Sequence, residues 1–403
     1  MDACGLIVEY NPFHNGHAYH INQAKQESGA DCIIAVMSGS FLQRGEPAIM
    51  DKFHRAKAAL SAGIDIVVEL PYVYAVQSSD LFAKGSVMTL FELGVNSICF
   101  GSESGTITPF IHAYESYHSN SETYKARLKM ALQEGKSFPD ASKLAYDSIG
   151  LVQNDMDLSM PNNILGFSYV RTILENELPI QPITIKRKNS EYHDTEINGS
   201  IASATSIRKQ LFEHHMNISE LEFTMPPSTV QELVAYERKA STLHHWERYF
   251  PLLHYRVMTM TPEELSLIQG VDEGLEHRIK RTAKDATSFN NWVERIKTKR
   301  YTWTRIQRIF VHLLTNTKKD TIYTLTSSFS VPYIRLLGLT TTGKAYLNRR
   351  KKELNVPLYP KITRNPHPML EVEERATNAY YSILPPANRY ALIEQELKGP
   401  IIL

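Results

Sequence analysis

Short apolar runs rich in β-branched residues alternate with helix-length amphipathic segments through the first hundred residues of the chain. "ACGLIVEY" leads into a helical pattern over 16–27, "CIIAVMSG" into one over about 51–62, and "DIVVELP" into one over about 79–93, after which "NSICFGS" supplies a fourth run. Continuous apolar strands separated by amphipathic helices are the mark of a parallel sheet covered on both faces. Right-handed crossovers then make an α/β fold with a doubly wound, Rossmann-like parallel sheet. The pattern turns helical over 107–177; "QPITIKRK" predicts one more strand and "ASATSIRKQLFE" one more helix with Ser or Thr at its cap. The sheet domain is expected to span 1–215.

After "TMPPSTVQ", where Pro226 and Pro227 predict a linker, the strand signal fades. Helical patterns such as "VQELVAYERKAS", "FNNWVERIKTKR", "RIQRIFVHLLTN" and "EVEERATNAYYSIL" run to the end, so 216–403 is expected to be a mostly α-helical C-terminal domain. No internal repeat of fixed period interrupts this order.

The bulk numbers narrow the field only modestly. Across 403 residues the formal net charge is +1, so nucleic-acid binding would have to come from a local patch. Cys4, Cys32 and Cys99 each lie in an apolar run and read as reduced core residues, which favours a reducing compartment. No basic-then-apolar leader opens the chain and no run reaches the ~18 to 20 apolar residues of a membrane helix, so a cytoplasmic protein is expected, with no membrane partner.

The chemistry concentrates in "IVEYNPFHNGHAYHI", at the turn from the first strand to the first helix. That turn is the usual phosphate position of such a sheet. Gly16 lets the backbone approach a ligand, the helix N-terminus presents partial positive charge, and His14 and His17 can donate to phosphate oxygens. A two-histidine zinc site would want a third carboxylate or cysteine ligand that the pattern lacks. Two ordinary histidines in a surface turn stay as the alternative. Arg44, in the loop after the second strand, faces the same crevice and is a candidate to hold a carboxylate or phosphate.

"HNGH" together with "ASATSIRK" resembles the HxGH and SSTxxR-like signatures of the nucleotidylyltransferase superfamily. "GLIVEYNPFHNGHAYH", "MSGSFLQRGEPA", "DIVVELP", "NILGFSY" and "TKRYTWTRIQRI" resemble, more closely, the tRNA(Met) cytidine acetate ligase family over essentially the whole chain. The resemblance implies a nucleotidylyltransferase-type sheet and two steps: acetate and ATP form acetyl-adenylate, and the acetyl group passes to the wobble cytidine of elongator tRNA(Met). It implies an ATP site at Ile7, Val8, Glu9, Tyr10, Asn11, Pro12, Phe13, His14, Asn15, Gly16, His17, Ala18, Tyr19 and His20, joined by Gly101, Asn162, Arg187 and Lys188. "ASATSIRK" departs from the superfamily form at Ala202 and Ala204, leaving Ser203, Thr205, Ser206 and Arg208 as the candidate phosphate contacts. Magnesium is expected from the chemistry of ATP, although no residue run identifies its ligands.

In "RIKTKRYTWTRIQRIF", Lys297, Lys299, Arg300, Arg305 and Arg308 are interleaved with Tyr301 and Trp303, and "LNRRKKEL" adds Arg349 and Arg350. Basic side chains beside aromatics suit backbone phosphates and unstacked loop bases; a solvated helix face is the plainer account, and the resemblance turns the expectation toward tRNA. "GLTTTGKA" nearly spells a phosphate loop, but it lacks the hydroxyl residue after Lys344 and no strand pattern precedes it, so it reads as a helix start. Two rival functions fit parts of the chain: an adenylyltransferase acting on a phosphorylated small metabolite, and a noncatalytic RNA-binding protein.

Overall fold

The computed structural model describes residues 1–151, 157–158, 160–187, 200–362 and 367–403. Its first half follows the expected alternation. Strand β1 (Ala3–Val8) leads to helix α1 (Asn15–Ser28), β2 (Cys32–Ser38) to α2 (Lys52–Ser61), and β3 (Ile66–Leu70) to the short α3 (Tyr72–Ala75) and then α4 (Ser79–Glu92). β4 (Ser97–Ser102) and β5 (Gln181–Lys186) follow, separated by helices that include Pro161–Glu175. The five strands are parallel and ordered β5-β4-β1-β2-β3. The chain therefore winds outward from β1 through β2 and β3, then returns to β4 on the other side. Such a reversal opens a crevice at the carboxyl ends of β1 and β4.

Burial explains the unbroken apolar runs. Every residue of β2 and β3 is buried, because α1 and α2 cover one face of the sheet while α4 and later helices cover the other. Gly5 in β1 shows how close the packing is: a Cβ there would stand 2.7 Å from Leu90 Cδ1 of α4. The three cysteines are buried and unpaired, as their apolar surroundings predict.

The second half departs from expectation. Among the described residues three strands come from it: β6 (Ile334–Leu339), antiparallel to β3 with Ile66 opposite Leu339, and the two-residue β7 (Leu358–Tyr359) and β8 (Ile401–Ile402), both paired with β6. A six-residue strand such as "IRLLGL" has no readable period, and two-residue strands have none at all, so the helical expectation after 226 missed them. "GLTTTGKA" is thus preceded by a strand after all. It still starts a helix, Thr341–Arg350, whose N-cap Thr340 also donates from its hydroxyl to Asp65 Oδ1 at 2.9 Å. Pro226 and Pro227 likewise form the N-cap and first turn of helix Pro227–Ala240.

One apolar core runs from Ile34 and Val68 of the sheet through Trp246, Trp292 and Phe310 to Leu392, so residues before and after 216 are packed as one body. At its centre lies a buried charge cluster. Lys52 Nζ is 2.7 Å from both Glu69 Oε1 and Glu396 Oε1 and 4.0 Å from Glu373 Oε1, and Arg335 reaches Glu396 at 3.3 Å. It ties helix Pro368–Tyr381 to α2 and α3, since Glu373 lies beside Lys52 and its Oε2 accepts the Tyr72 N–H at 2.7 Å.

Candidate active site at the mouth of the first strand

β1 ends at Ile7 and Val8, and the turn that follows is tied down residue by residue. Glu9 Oε1 accepts the Gln43 N–H at 2.7 Å; Tyr10 is buried in the left-handed region at φ 52; Asn11 Oδ1 accepts the Ile49 N–H at 2.6 Å; Phe13 packs edge-on against Tyr10. Beneath it lies Arg55 of α2, wholly buried, which donates to the carbonyls of Glu9 at 2.6 Å, Ser38 at 3.0 Å, Met50 at 3.2 Å, and Gly39. One guanidinium thereby joins the ends of β1 and β2.

His14 is the N-cap of α1. Its Nδ1 accepts the Gly16 N–H at 3.1 Å, and His17 Nδ1 accepts the His14 N–H at 3.2 Å, closing a capping box built from two imidazoles. The rings stack with centroids 3.7 Å apart. A neutral imidazole whose Nδ1 accepts carries its proton on Nε2. Burial, reinforced by the positive charges of Arg187 and Arg208, lowers His14 to about 3. Burial and the His14 neighbour likewise push His17 well below its ordinary value, and His20, whose buried Nε2 has no hydrogen-bond partner among the described residues, is lowered to about 4. These are uncharged donors beside cations, at a helix N-terminus. Such a constellation suits an anion rather than a metal, and no group of three His, Cys, Asp or Glu able to hold an ion occurs among the described residues.

Gly16 is required by closeness, since a Cβ there would come within 2.9 Å of the His14 ring. Asn15 donates to the carbonyls of Ser200 and Phe223 at 2.8 and 2.9 Å, drawing the segment before helix Ala204–Phe212 against α1. Ala18 and Tyr19 continue α1, half-buried.

A second cluster closes the β4 side. Gly101 leaves room for Arg187, whose Cγ would lie 3.2 Å from a Cβ at that position. Arg187 Nη1 donates to Asn162 Oδ1 at 2.7 Å, and Asn162 Nδ2 donates to Glu103 Oε1 at 2.6 Å. Glu103 also accepts the Asn163 N–H at 2.9 Å, so it caps the helix that presents Asn162. Gly101, Asn162 and Arg187, far apart in sequence, are thus neighbours. Lys188 lies outside the described residues.

Other expected contacts are occupied elsewhere. Arg208 donates to Asn11 O at 2.8 Å and pairs with Glu46 at 2.6 Å, bracing the turn instead of leaving its guanidinium free. Ser203 caps helix Ala204–Phe212 by accepting the Ser206 N–H, and Ser206 Oγ donates back to Ser203 O at 2.8 Å, so both hydroxyls serve the cap; Thr205 beside them is exposed. Arg44 is half-buried near Glu9 and Glu46, whose charges offset the burial that lowers it.

The basic segment divides in two. Arg308 Nη1 donates to Gln43 O at 3.4 Å and its backbone packs on Gly45, placing helix Trp303–Leu314 on the crevice rim. Arg300 pairs with Glu273, Arg305 lies 5.0 Å from the Tyr301 ring centroid and 3.8 Å from Asp272, and Lys297 and Lys299 are exposed. Tyr301 is buried at 8% exposure, so it serves as a platform for Arg305 and its ring is not open to stack a base. Arg350 instead packs against Gly94 and pairs with Glu353 at 2.6 Å, while Tyr346 donates to the carbonyls of Leu93 and Gly94. Leu93 and Gly94 precede β4, so Arg349 and Arg350 sit at the edge of the sheet opposite the crevice.

Sequence reasoning missed Arg55, Glu46 and Glu103. Arg55 carries a legible signal: Lys52 and Arg55 fall with Ala56 and Ala59 on the buried stripe of α2, and charge on an apolar stripe announces a buried partner. Nothing in "CFGSESG" distinguishes Glu103 from a loop residue.

The Rossmann-like crevice with its HxGH cap defines a nucleotidylyl transferase. In agreement, the HIGH Nucleotidyl Transferase family model matches residues 1–396, and the chain belongs to that family. Within it the chain is 57% identical to the tRNA(Met) cytidine acetate ligase of Oceanobacillus iheyensis over 100% of both chains, and 46% identical to that of Bacillus subtilis over 94% of this chain and 92% of the relative. The structure matches crystal structures of Thermotoga maritima TmcAL covering 100% of both chains, the apo form at TM-score 0.90 and 30% identity and the form bound with alpha-thio ATP at 0.89 and 31%. The chain is a member of the tRNA(Met) cytidine acetate ligase family.

Proposed function

We propose that this chain uses ATP to activate acetate as acetyl-adenylate and transfers the acetyl group to the N4 amine of the wobble cytidine of elongator tRNA(Met), in the cytoplasm. An acetate oxygen attacks the α-phosphorus, the bond to the bridging oxygen breaks, and pyrophosphate leaves. The cytosine amine then attacks the acetyl carbon, and AMP leaves. Acetate, with a pKa near ~4, is already ionised at neutral pH, so the first step needs positioning and charge neutralisation more than a base. The cytosine amine is a weak nucleophile because its lone pair is delocalised, which is why an activated acyl donor is needed.

The observation that carries this reading is the stacked His14–His17 pair, whose Nδ1 atoms accept backbone N–H groups at the start of α1 and leave Nε2 to carry the proton, with the Arg187 charge acting on both. His14 and His17 donate to phosphate oxygens as charge builds in the transition state. Residues 7–20, Gly101, Asn162 and Arg187 form the ATP cradle in this reading, and the alpha-thio ATP complex of the Thermotoga relative supports ATP as the ligand. Arg44 is the candidate for the acetate carboxylate. Magnesium is expected with the triphosphate from the chemistry of ATP. We assign adenylate chemistry to 1–215 and tRNA contact to 216–403, through Lys297, Lys299, Arg300, Arg305 and Arg308. Among the described residues no helix is long and apolar enough to cross a membrane.

Incubating the protein with labelled acetate, ATP and bulk tRNA tests the reading. Label in acetylcytidine of elongator tRNA(Met) is expected. Label absent from tRNA, with a phosphorylated metabolite adenylylated instead, would favour a plain adenylyltransferase.

A further inference from the structure

A cleft of about 390 Å³ lies between two segments distant in sequence, lined by Lys125, Leu128, Lys129 and Leu132 on one side and by Glu273 and Arg300 on the other. The first wall is helix Ser121–Gln133, in the segment between β4 and the helix that presents Asn162. Lys125, Leu128, Lys129 and Leu132 follow the i, i+3, i+4, i+7 spacing of one helical face, with Gln133 beside them. The opposite side is fixed: Tyr124 is buried against Tyr146 at 4.8 Å, and Tyr146 against Phe167 of helix Pro161–Glu175 at 5.7 Å. The second wall continues into helix Trp303–Leu314, which reaches the crevice loop through Arg308. The second wall thus reaches the crevice rim, and the first packs on the helix that presents Asn162.

We infer that this cleft is an RNA-binding groove in which Lys125 and Lys129 hold backbone phosphates opposite Arg300. The inference rests on the tRNA reading above and extends the RNA surface to a helix of the first half of the chain. Charge complementarity favours a polyanion: the walls bring two exposed lysines and Arg300 against a single carboxylate, Glu273, which Arg300 already engages. Among the described residues Lys125 pairs only with exposed Glu122 at 2.8 Å, a contact that a phosphate can displace, and Lys129 has no acidic partner. Half-buried Leu128 and Leu132 between the lysines offer an apolar floor against which a ribose or base edge can rest.

The test is the double variant Lys125→Ala/Lys129→Ala, with tRNA affinity measured across a salt series and acetate-dependent pyrophosphate exchange measured alongside. Affinity for elongator tRNA(Met) is expected to fall roughly tenfold, and the log–log salt slope to become shallower by about 1.4 to 1.8, at ~0.7 to 0.9 per lost phosphate contact. Exchange should be unchanged, because neither lysine touches the adenylate site. Unchanged affinity and slope in a double variant, with the parent protein still acetylating tRNA, would overturn the groove and leave the function standing. A parent protein that neither binds nor acetylates tRNA would overturn both. Equal loss of exchange would also count against the groove, showing that the helix acts through the fold.

Discussion

His17 accepts, through Nδ1, the backbone N–H of His14, while His14 accepts the N–H of Gly16, so the two rings cap one helix and a backbone N–H fixes the tautomer of each. The arrangement predicts how these rings titrate. Burial, with Arg187 and Arg208 near His14 and with His14 beside His17, holds both neutral far below their ordinary range. Ring nitrogen NMR at pH 6 should show both residues uncharged with the proton on Nε2. Adenylate formation should correspondingly gain nothing as pH falls through the usual histidine range near ~6.5. An imidazolium signal from either ring at pH 6 would contradict this account.

Arg55 is the keystone of the crevice floor. Its removal strands carbonyls of Glu9, Ser38, Gly39 and Met50 in a dry interior, at ~1 to 3 kcal/mol for each group left unpaired. Arg55→Ala should therefore cost at least about 3 kcal/mol in denaturant unfolding and raise the KM for ATP. A loss below about 1 kcal/mol would show that other donors replace it.

The Lys52 cluster makes a paired prediction. Glu373 and Glu69 both crowd Gly39, and burial first, then the Glu69 charge, pushes the Glu373 carboxyl well above the carboxylate range. Lys52→Met leaves Glu69 without its cation and Glu396 with Arg335 alone, and should cost about 3 to 5 kcal/mol. Glu373→Gln mimics the protonated acid and should cost under about 1 kcal/mol near neutrality. The sign with pH follows from linkage: above pH ~4.3 the unfolded carboxyl releases a proton that the native one retains, so the wild type loses stability as pH rises. The Gln variant lacks that loss and should gain relative to wild type between pH 5 and pH 9. A relative decline over that interval would refute a proton on Glu373.

Arg300→Ala and Arg305→Ala should weaken tRNA binding and spare acetate-dependent exchange. Their partners Glu273 and Asp272 are partly exposed, and such pairs contribute only ~0 to 1 kcal/mol, so stability should hardly change. Arg349→Ala, at the far edge of the sheet, should leave tRNA affinity unaltered. If Arg349 mattered as much as Arg300, the placement of RNA at the crevice rim would be wrong.

Much of this was legible in the chain itself. Strands β1 to β4 announce themselves because burial on both faces makes them continuous apolar runs, and the HNGH turn is recognisable because strand, glycine and helix stand in order. β6 was not legible, since "IRLLGL" looks alike as strand or buried helix. Nor was the fate of Arg208: a basic residue one turn into a helix can reach a phosphate or a carbonyl, and only the fold brings Asn11 O within 2.8 Å. Tyr301 failed for a related reason, because sequence shows an aromatic beside basic residues but not which way the ring is buried.

The measurement that bears most directly on the central claim is the exchange of labelled pyrophosphate into ATP, with and without acetate, by the wild type and by His14→Ala and His17→Ala. Exchange by the wild type should require acetate but no tRNA, and each substitution should reduce it on the order of a hundredfold, the scale for losing one donor to developing charge. Exchange that proceeds at the wild-type rate in both variants, or that ignores acetate, would contradict the assignment of the histidine turn as the phosphate cradle of an acetate-activating enzyme.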